Sequence, residues 1–126
     1  MTPEELKRRT KTFGLSVIKL VDRLPRTRSA NAIGSQLLNC ATSVGANYRA
    51  ACRARSKAEF AAKLGIVEEE ADEAAYWLEV LMEAEIIPSN SAMTLLREAN
   101  ELVAIVVASL VTAKRANQVG NRKSTV

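Results

Sequence analysis

Four cations crowd one short stretch of this chain: Arg49, Arg53, Arg55 and Lys57 lie within nine positions of one another. Such side chains neutralise phosphates, Arg through a planar fork of donors and Lys as a point charge. The residue types that would turn binding into catalysis are missing. There is no His, and with it go the usual general base, the His-assisted nucleophile and the Glu-x-x-His ligand pair of di-iron bundles. There is no glycine-rich phosphate loop, and Ser43, Cys40 and Cys52 have no activating base near them in sequence. Glu69, Glu70 and Glu73 offer oxygen ligands for a hard cation, but a helix does not wrap them around an ion, so a solvated acidic face is the better reading. The sequence therefore assigns no catalytic residue, no metal ligand and no cofactor.

The elements that position these cations follow from composition and spacing. The 126 residues suffice for one domain with one core. Few Gly, Pro and aromatic residues in a chain that is 48% apolar indicate an all-α fold. Leu6, Thr10, Phe13, Val17, Leu20 and Leu24 keep steps of four and three, as do Phe60, Leu64, Val67, Ala71, Ala74, Leu78 and Leu81. Positions 33, 37, 41, 44, 48 and 52 form a third such seam, and Leu95, Ala99, Leu102, Val106 and Ser109 a fourth. Thr2-Pro3-Glu4-Glu5 is a capping box with Pro at the first helical position, and Ser56-Lys57-Ala58-Glu59 is a second box. Pro25 ends the first seam, and Pro88-Ser89 opens the last. The spacing predicts helices over 3–24, 29–54, 57–85 and 89–118, with Ser29 or Asn31 capping the second, Gly120-Asn121 closing the fourth, and a flexible tail over 121–126. Short connectors make this an antiparallel up-down-up-down four-helix bundle.

That topology brings the start of the first helix, the end of the second, the start of the third and the end of the fourth to one end of the molecule. Lys7, Arg8, Lys11, Arg49, Arg53, Arg55, Lys57, Lys114 and Arg115 meet there and are the candidate nucleic-acid-binding residues. With Arg9, Lys63, Arg122 and Lys123, thirteen of the 18 basic residues face Glu4, Glu5 and Glu59, a local net of +10 in a chain of net +4. Cations suit helix C-termini on electrostatic grounds alone, but those near the starts of the first and third helices do not. Gln36, Asn39, Ser43 and Asn47 form a polar strip beside the second seam. Hydrogen bonds across a helix or subunit contact are its favoured use, and recognition of a partner the alternative. Tyr48, Tyr76 and Trp77 read as packing aromatics.

The fourth helix is apolar beyond its seam, through Val103, Ile105, Val107, Leu110 and Val111, so this helix, alone or together with the first, is expected at a subunit interface, with Val103, Val107, Leu110 and Val111 the candidate interface of a homo-oligomer. No basic segment precedes an apolar leader, and the run from Leu102 to Val111 is far shorter than the ~20 residues that span a bilayer, so a cytoplasmic protein with no membrane partner is expected. Cys40 and Cys52, twelve positions apart on one predicted helix and thus ~18 Å apart, cannot form a disulfide with each other.

The runs Ile33-Gly34-Ser35-Gln36-Leu37-Leu38, Ala41-Thr42-Ser43-Val44-Gly45-Ala46-Asn47, Ala58-Glu59-Phe60 and Ala75-Tyr76-Trp77-Leu78-Glu79, in that order, resemble the bacterial four-helix-bundle proteins encoded in intervening sequences of 23S ribosomal RNA genes. The same superfamily includes the accessory variability determinant of diversity-generating retroelements. The resemblance runs from about Leu24 to Leu110. It implies an antiparallel four-helix bundle assembled into a ring-shaped homopentamer, and, by way of the retroelement relatives, RNA or DNA and a reverse transcriptase or other protein as partners. Asn39 stands where many relatives carry a basic residue. The function expected is that of a non-enzymatic nucleic-acid-binding or ribonucleoprotein accessory protein, the alternative being an oligomeric protein-interaction scaffold that does not touch nucleic acid.

Overall fold

Four helices occupy almost the whole chain: α1 (Pro3–Asp22), α2 (Arg28–Cys52), α3 (Lys57–Glu83) and α4 (Ser89–Ser124). The computed structural model describes the backbone of residues 1–124 and the side chains to Ala116. Each helix packs against its neighbour in sequence, and α1 meets α4 along a thinner seam that closes the bundle. The four seams read from the sequence form the core. Leu6, Phe13, Val17, Leu37, Val44, Leu64, Val67, Leu78, Leu81, Leu102 and Val106 are all buried. Thr10, the one buried polar residue among the described residues, donates its hydroxyl to the carbonyls of Leu6 and Lys7, so it leaves no unmet donor.

The caps decide the helix ends. At α1 the Thr2 hydroxyl accepts from the Glu5 N–H at 3.1 Å while the Glu5 carboxylate accepts from the Thr2 N–H at 3.1 Å, the reciprocal box. At α3 the Ser56 hydroxyl accepts from the Glu59 N–H, but the Glu59 carboxylate accepts from the N–H of Arg55, one residue further out. The N-cap of α2 is Thr27, not Ser29 or Asn31. Starting the helix at Arg28 carries Ala30 fully into the core, which a later start would forgo. The helices end at Asp22, Cys52 and Glu83, two residues short of the predicted ends, because the last turn tightens in each case. After α3, Glu85 adopts a φ of 57° while the Ile86 N–H reaches back to the Leu81 carbonyl and the Glu85 N–H to Met82, a left-handed terminus made without glycine.

The fourth helix corrects the reading of the C-terminus. It continues through Gly120 and Asn121 to Ser124, where a cap and a tail were expected. Thr125 and Val126 lie outside the described residues. With 36 residues α4 is about 54 Å long, against about 40 Å for the 27 residues of α3. Among the described residues no helix is long and apolar enough to cross a membrane.

Candidate nucleic-acid interface

The basic residues gather in two adjoining groups. Lys7, Arg8 and Lys11 of α1 and Arg49 of α2 line one end of an outer groove of about 460 Å³, whose floor is Gly14, Leu15, Ile18, Thr42, Gly45 and Ala46. The groove exists because α1 and α2 approach closely. A methyl group built on Gly45 would stand 3.4 Å from the backbone of Thr10 and Lys11, and one on Gly14 would stand 3.5 Å from the Ala41 carbonyl oxygen. Small residues at the crossing let the backbones meet and leave the flanking side chains splayed outward. The second group occupies the end of the bundle. Arg53 and Arg55 sit in the α2–α3 turn, Lys57 opens α3, and Lys114 and Arg115 lie on α4 between Ala113 and Ala116, which share a hollow with Phe60 of α3. All five are exposed.

Few of these charges are compensated. Among the described residues Lys7 pairs with Glu4 at 3.0 Å, while Arg8, Lys11, Arg49, Arg53, Arg55, Lys57, Lys114 and Arg115 have no carboxylate within 4 Å. Arg9 is different. Its Nε and Nη2 donate to Glu98 at 2.7 Å each, and Nη2 also contacts Glu101 at 2.8 Å, so it fastens α1 to α4. These hydrogen bonds hold its pKa above the ordinary arginine range. The two carboxylates also lower the charge of this end. Counted over the described side chains alone, eleven basic residues face five acidic ones instead of three, so the clamp lowers the local net from +8 to +6.

The other sequence candidates fall into place less uniformly. In the polar strip Gln36 and Asn39 are exposed, Ser43 and Asn47 half-buried. No hydrogen bond runs from these side chains to another helix among the described residues: Asn47 donates to the carbonyl of Ser43, one turn back. The cross-helix role favoured from sequence is not what the strip does within the protomer. Glu70 and Glu73 lie near the α2 flank instead. Burial, then Glu73 and Glu70, push the Cys40 thiol up to about 12, and burial with Glu73 and Glu69 raises the Glu70 carboxyl. Among the described residues no three such side chains are grouped to hold a metal ion.

Tyr48 is core, and burial with its neighbour Cys52 raises its hydroxyl pKa. Trp77 packs against the core with its indole N–H unpartnered, whereas Tyr76, edge-on to it at 5.0 Å, is 55% exposed and is not a core aromatic. Of the proposed α4 interface, Val103 and Leu110 pack on the core and only Val107 and Val111 stay exposed, at 36% and 43%. The sequence reading allowed the first helix a part in the interface but named none of its residues, and so missed the exposed Leu15, at 52%, and Ile18, at 37%. Its signal was present: Leu15 and Ile18 lie three apart and outside the Phe13-Val17-Leu20 seam.

Comparison with known proteins places this geometry. A solved structure of a protein of unknown function from the S23 ribosomal protein family of Bacteroides thetaiotaomicron VPI-5482 superposes with a TM-score of 0.81 at 29% identity, over 87% of this chain and 98% of that one. No curated protein matches the sequence. Residues 5–108 match the family model for the 23S rRNA-intervening sequence protein, a span that reaches into all four helices and ends within α4. The chain belongs to the 23S rRNA-intervening sequence protein family.

Proposed function

We propose that this is a non-enzymatic nucleic-acid-binding or ribonucleoprotein accessory protein that works as a homo-oligomer, with its basic end neutralising phosphates. The observation that carries the reading is the lack of compensation: Arg49, Arg53, Arg55, Lys57, Lys114 and Arg115 are exposed, and none has a carboxylate within 4 Å among the described residues. Free cations collected at one end supply affinity for a polyanion without reading its sequence. The resemblance to the retroelement accessory determinant adds a ring-shaped homopentamer, and a reverse transcriptase or another protein as a further partner. A ring repeats the basic end and multiplies weak phosphate contacts by avidity. The second reading, an oligomeric protein-interaction scaffold without direct nucleic-acid contact, is favoured by the exposed Leu15, Ile18 and Tyr76.

Titration of labelled single-stranded RNA and of duplex DNA across a salt series tests the first reading. Affinity should fall log-linearly with salt, and the triple change Arg53→Glu, Arg55→Glu, Arg115→Glu should lower it by at least about a hundredfold and flatten the slope by about 3. Absence of binding at about 50 mM salt, or a triple variant that binds like the parent, would refute phosphate binding and leave the scaffold.

A further inference from the structure

The core between α3 and α4 is left unfilled within the basic end. The α4 seam runs on from Leu95, Ala99, Leu102 and Val106, at the same steps of three and four, to Ser109, Ala113 and Ala116. Large apolar side chains thus give way to small ones opposite Phe60, the first residue of the α3 seam. The two stretches do not close on each other: Phe60, Ala108, Ser109, Thr112, Ala113 and Ala116 line an open hollow of about 420 Å³. Phe60 stays half-buried beside it, whereas Phe13, the phenylalanine of the α1 seam, is 1% exposed. A larger apolar residue at 109 or 113 would fill the space and cover Phe60, so close packing does not account for the Ser and Ala found there.

We infer that this hollow receives an unstacked base of a single-stranded nucleic acid, the base stacking on the Phe60 ring while the phosphates beside it rest on the surrounding cations. The inference rests on the phosphate-binding reading above and names the form of nucleic acid that it serves. Charge is the first support. Lys57 and Lys63 stand one turn before and one turn after Phe60 on α3, and Lys114 and Arg115 lie between Ala113 and Ala116 on α4. None of the four has a carboxylate within 4 Å among the described residues. The nearest acid in sequence, Glu59, is turned to the Arg55 N–H, which its carboxylate accepts at 3.1 Å. An aromatic face set among cations is the combination that holds single strands, because every base offers a flat face and every linkage a negative charge. Chemistry of the walls is the second support. The Thr112 hydroxyl donates to the Ala108 carbonyl at 3.1 Å and keeps its oxygen free to accept from a base edge, and Ser109 brings a second hydroxyl. Size is the third, since the volume falls in the range of small-ligand sites, about 300–1,000 Å³. A duplex reaches the cations but not the hollow, because its bases would first have to unpair and unstack.

The experiment titrates the full chain at about 50 mM salt with three labelled probes: single-stranded oligothymidylate, an abasic DNA strand of equal length, and a DNA duplex. The parent should bind oligothymidylate about tenfold more tightly than the abasic strand, which carries the same phosphates without bases. Phe60→Leu removes the ring but keeps an apolar seam residue, and Ala113→Leu keeps the ring but fills the hollow. Each should abolish the tenfold preference and leave duplex affinity as in the parent, with helical circular dichroism unchanged. The two substitutions act oppositely on packing, one removing volume and the other adding it, so a loss of preference common to both does not stem from a weakened core. Equal affinity of the parent for the thymidylate and abasic strands, or a preference that survives either substitution in a folded variant, would overturn the base site and leave phosphate binding standing. Failure of the parent to bind any of the three probes would overturn phosphate binding and the base site together.

Discussion

Replacing Arg9 with Met should open the bundle at its weakest seam. The α1–α4 contact is the thinnest of the four, and across it Arg9 makes a two-bond fork to Glu98, 2.7 Å on each arm, plus a 2.8 Å contact to Glu101. A fully exposed pair contributes only about 0.2–1 kcal/mol. Here the Arg9 and Glu98 side chains are 24% and 26% exposed, so the pair is partly desolvated, and hydrogen bonds to charged groups in such settings contribute about 1.5–3 kcal/mol. Glu101 is 60% exposed and adds little. We expect Arg9→Met to cost about 2 kcal/mol, roughly 6 to 8 °C in Tm for a domain of this size. Glu98→Gln should cost about half as much, since Arg9 retains Glu101 and one arm of the fork. The double variant, measured by urea unfolding, isolates a coupling of about 1 kcal/mol or more. A coupling below about 0.3 kcal/mol would mean that the ions exchange with water and that apolar contacts alone hold α1, which would refute this account of the seam.

Gly65 lies inside α3 with no atom within 4 Å of where a methyl group would sit. Gly65→Ala should therefore stabilise the chain by about 0.5–1 kcal/mol in thermal unfolding, through helix propensity alone; a loss of stability would mean that the site is closed in solution. Glu70→Gln reports on the acidic belt. The raised folded pKa of Glu70 means that its ionisation costs stability, and the loss grows as pH rises from the unfolded carboxyl value toward the folded one and persists at neutral pH. In the parent chain, Glu70→Gln should raise Tm at neutral pH. The gain should vanish below about pH 4, where the parent carboxyl is protonated in both states; no gain at neutral pH would contradict the burial and repulsion ascribed to Glu70.

The parts of the fold legible in the sequence are those written in local periodicity. The Leu6 to Leu20 and Leu64 to Leu81 seams and the Thr2 and Ser56 caps are short-range signals, each set by residues three or four apart. The cap of α2 was ambiguous because Thr27, Ser29 and Asn31 are all chemically competent, and the choice is made by whether Ala30 reaches the core. The left-handed residue after α3 was invisible because it is Glu85 and not glycine. Gly120 misled in the opposite sense, since a glycine permits a helix end without enforcing one. The Arg9 clamp joins residues 89 and 92 positions apart, and no periodicity reports such a pair. Without it the charge of the basic end was overestimated. The groove escaped for a related reason: helix periodicity tells which residues leave the seam, but whether they meet water or a neighbouring helix depends on how closely α1 approaches α2, which Gly14 and Gly45 determine.

The acids that remain at the basic end show why its cations stay free. Of the three on the first turns there, Glu5 accepts from the Thr2 N–H and Glu59 from the Arg55 N–H, so both serve helix starts, and Glu4 is taken by Lys7. Glu98 and Glu101 are held at Arg9. Among the described residues, each of these five carboxylates is thus committed to a cap, to Lys7 or to the Arg9 clamp. The exposed cations of the turn and of α4 repel one another, and in water that repulsion is screened beyond about 10 Å at ordinary salt. A fold needing only stability could relieve it with a single Glu at position 53 or 115, both exposed and outside the core. On the function proposed above, the missing counter-charge arrives with a partner, as the phosphates of a nucleic acid would bring it.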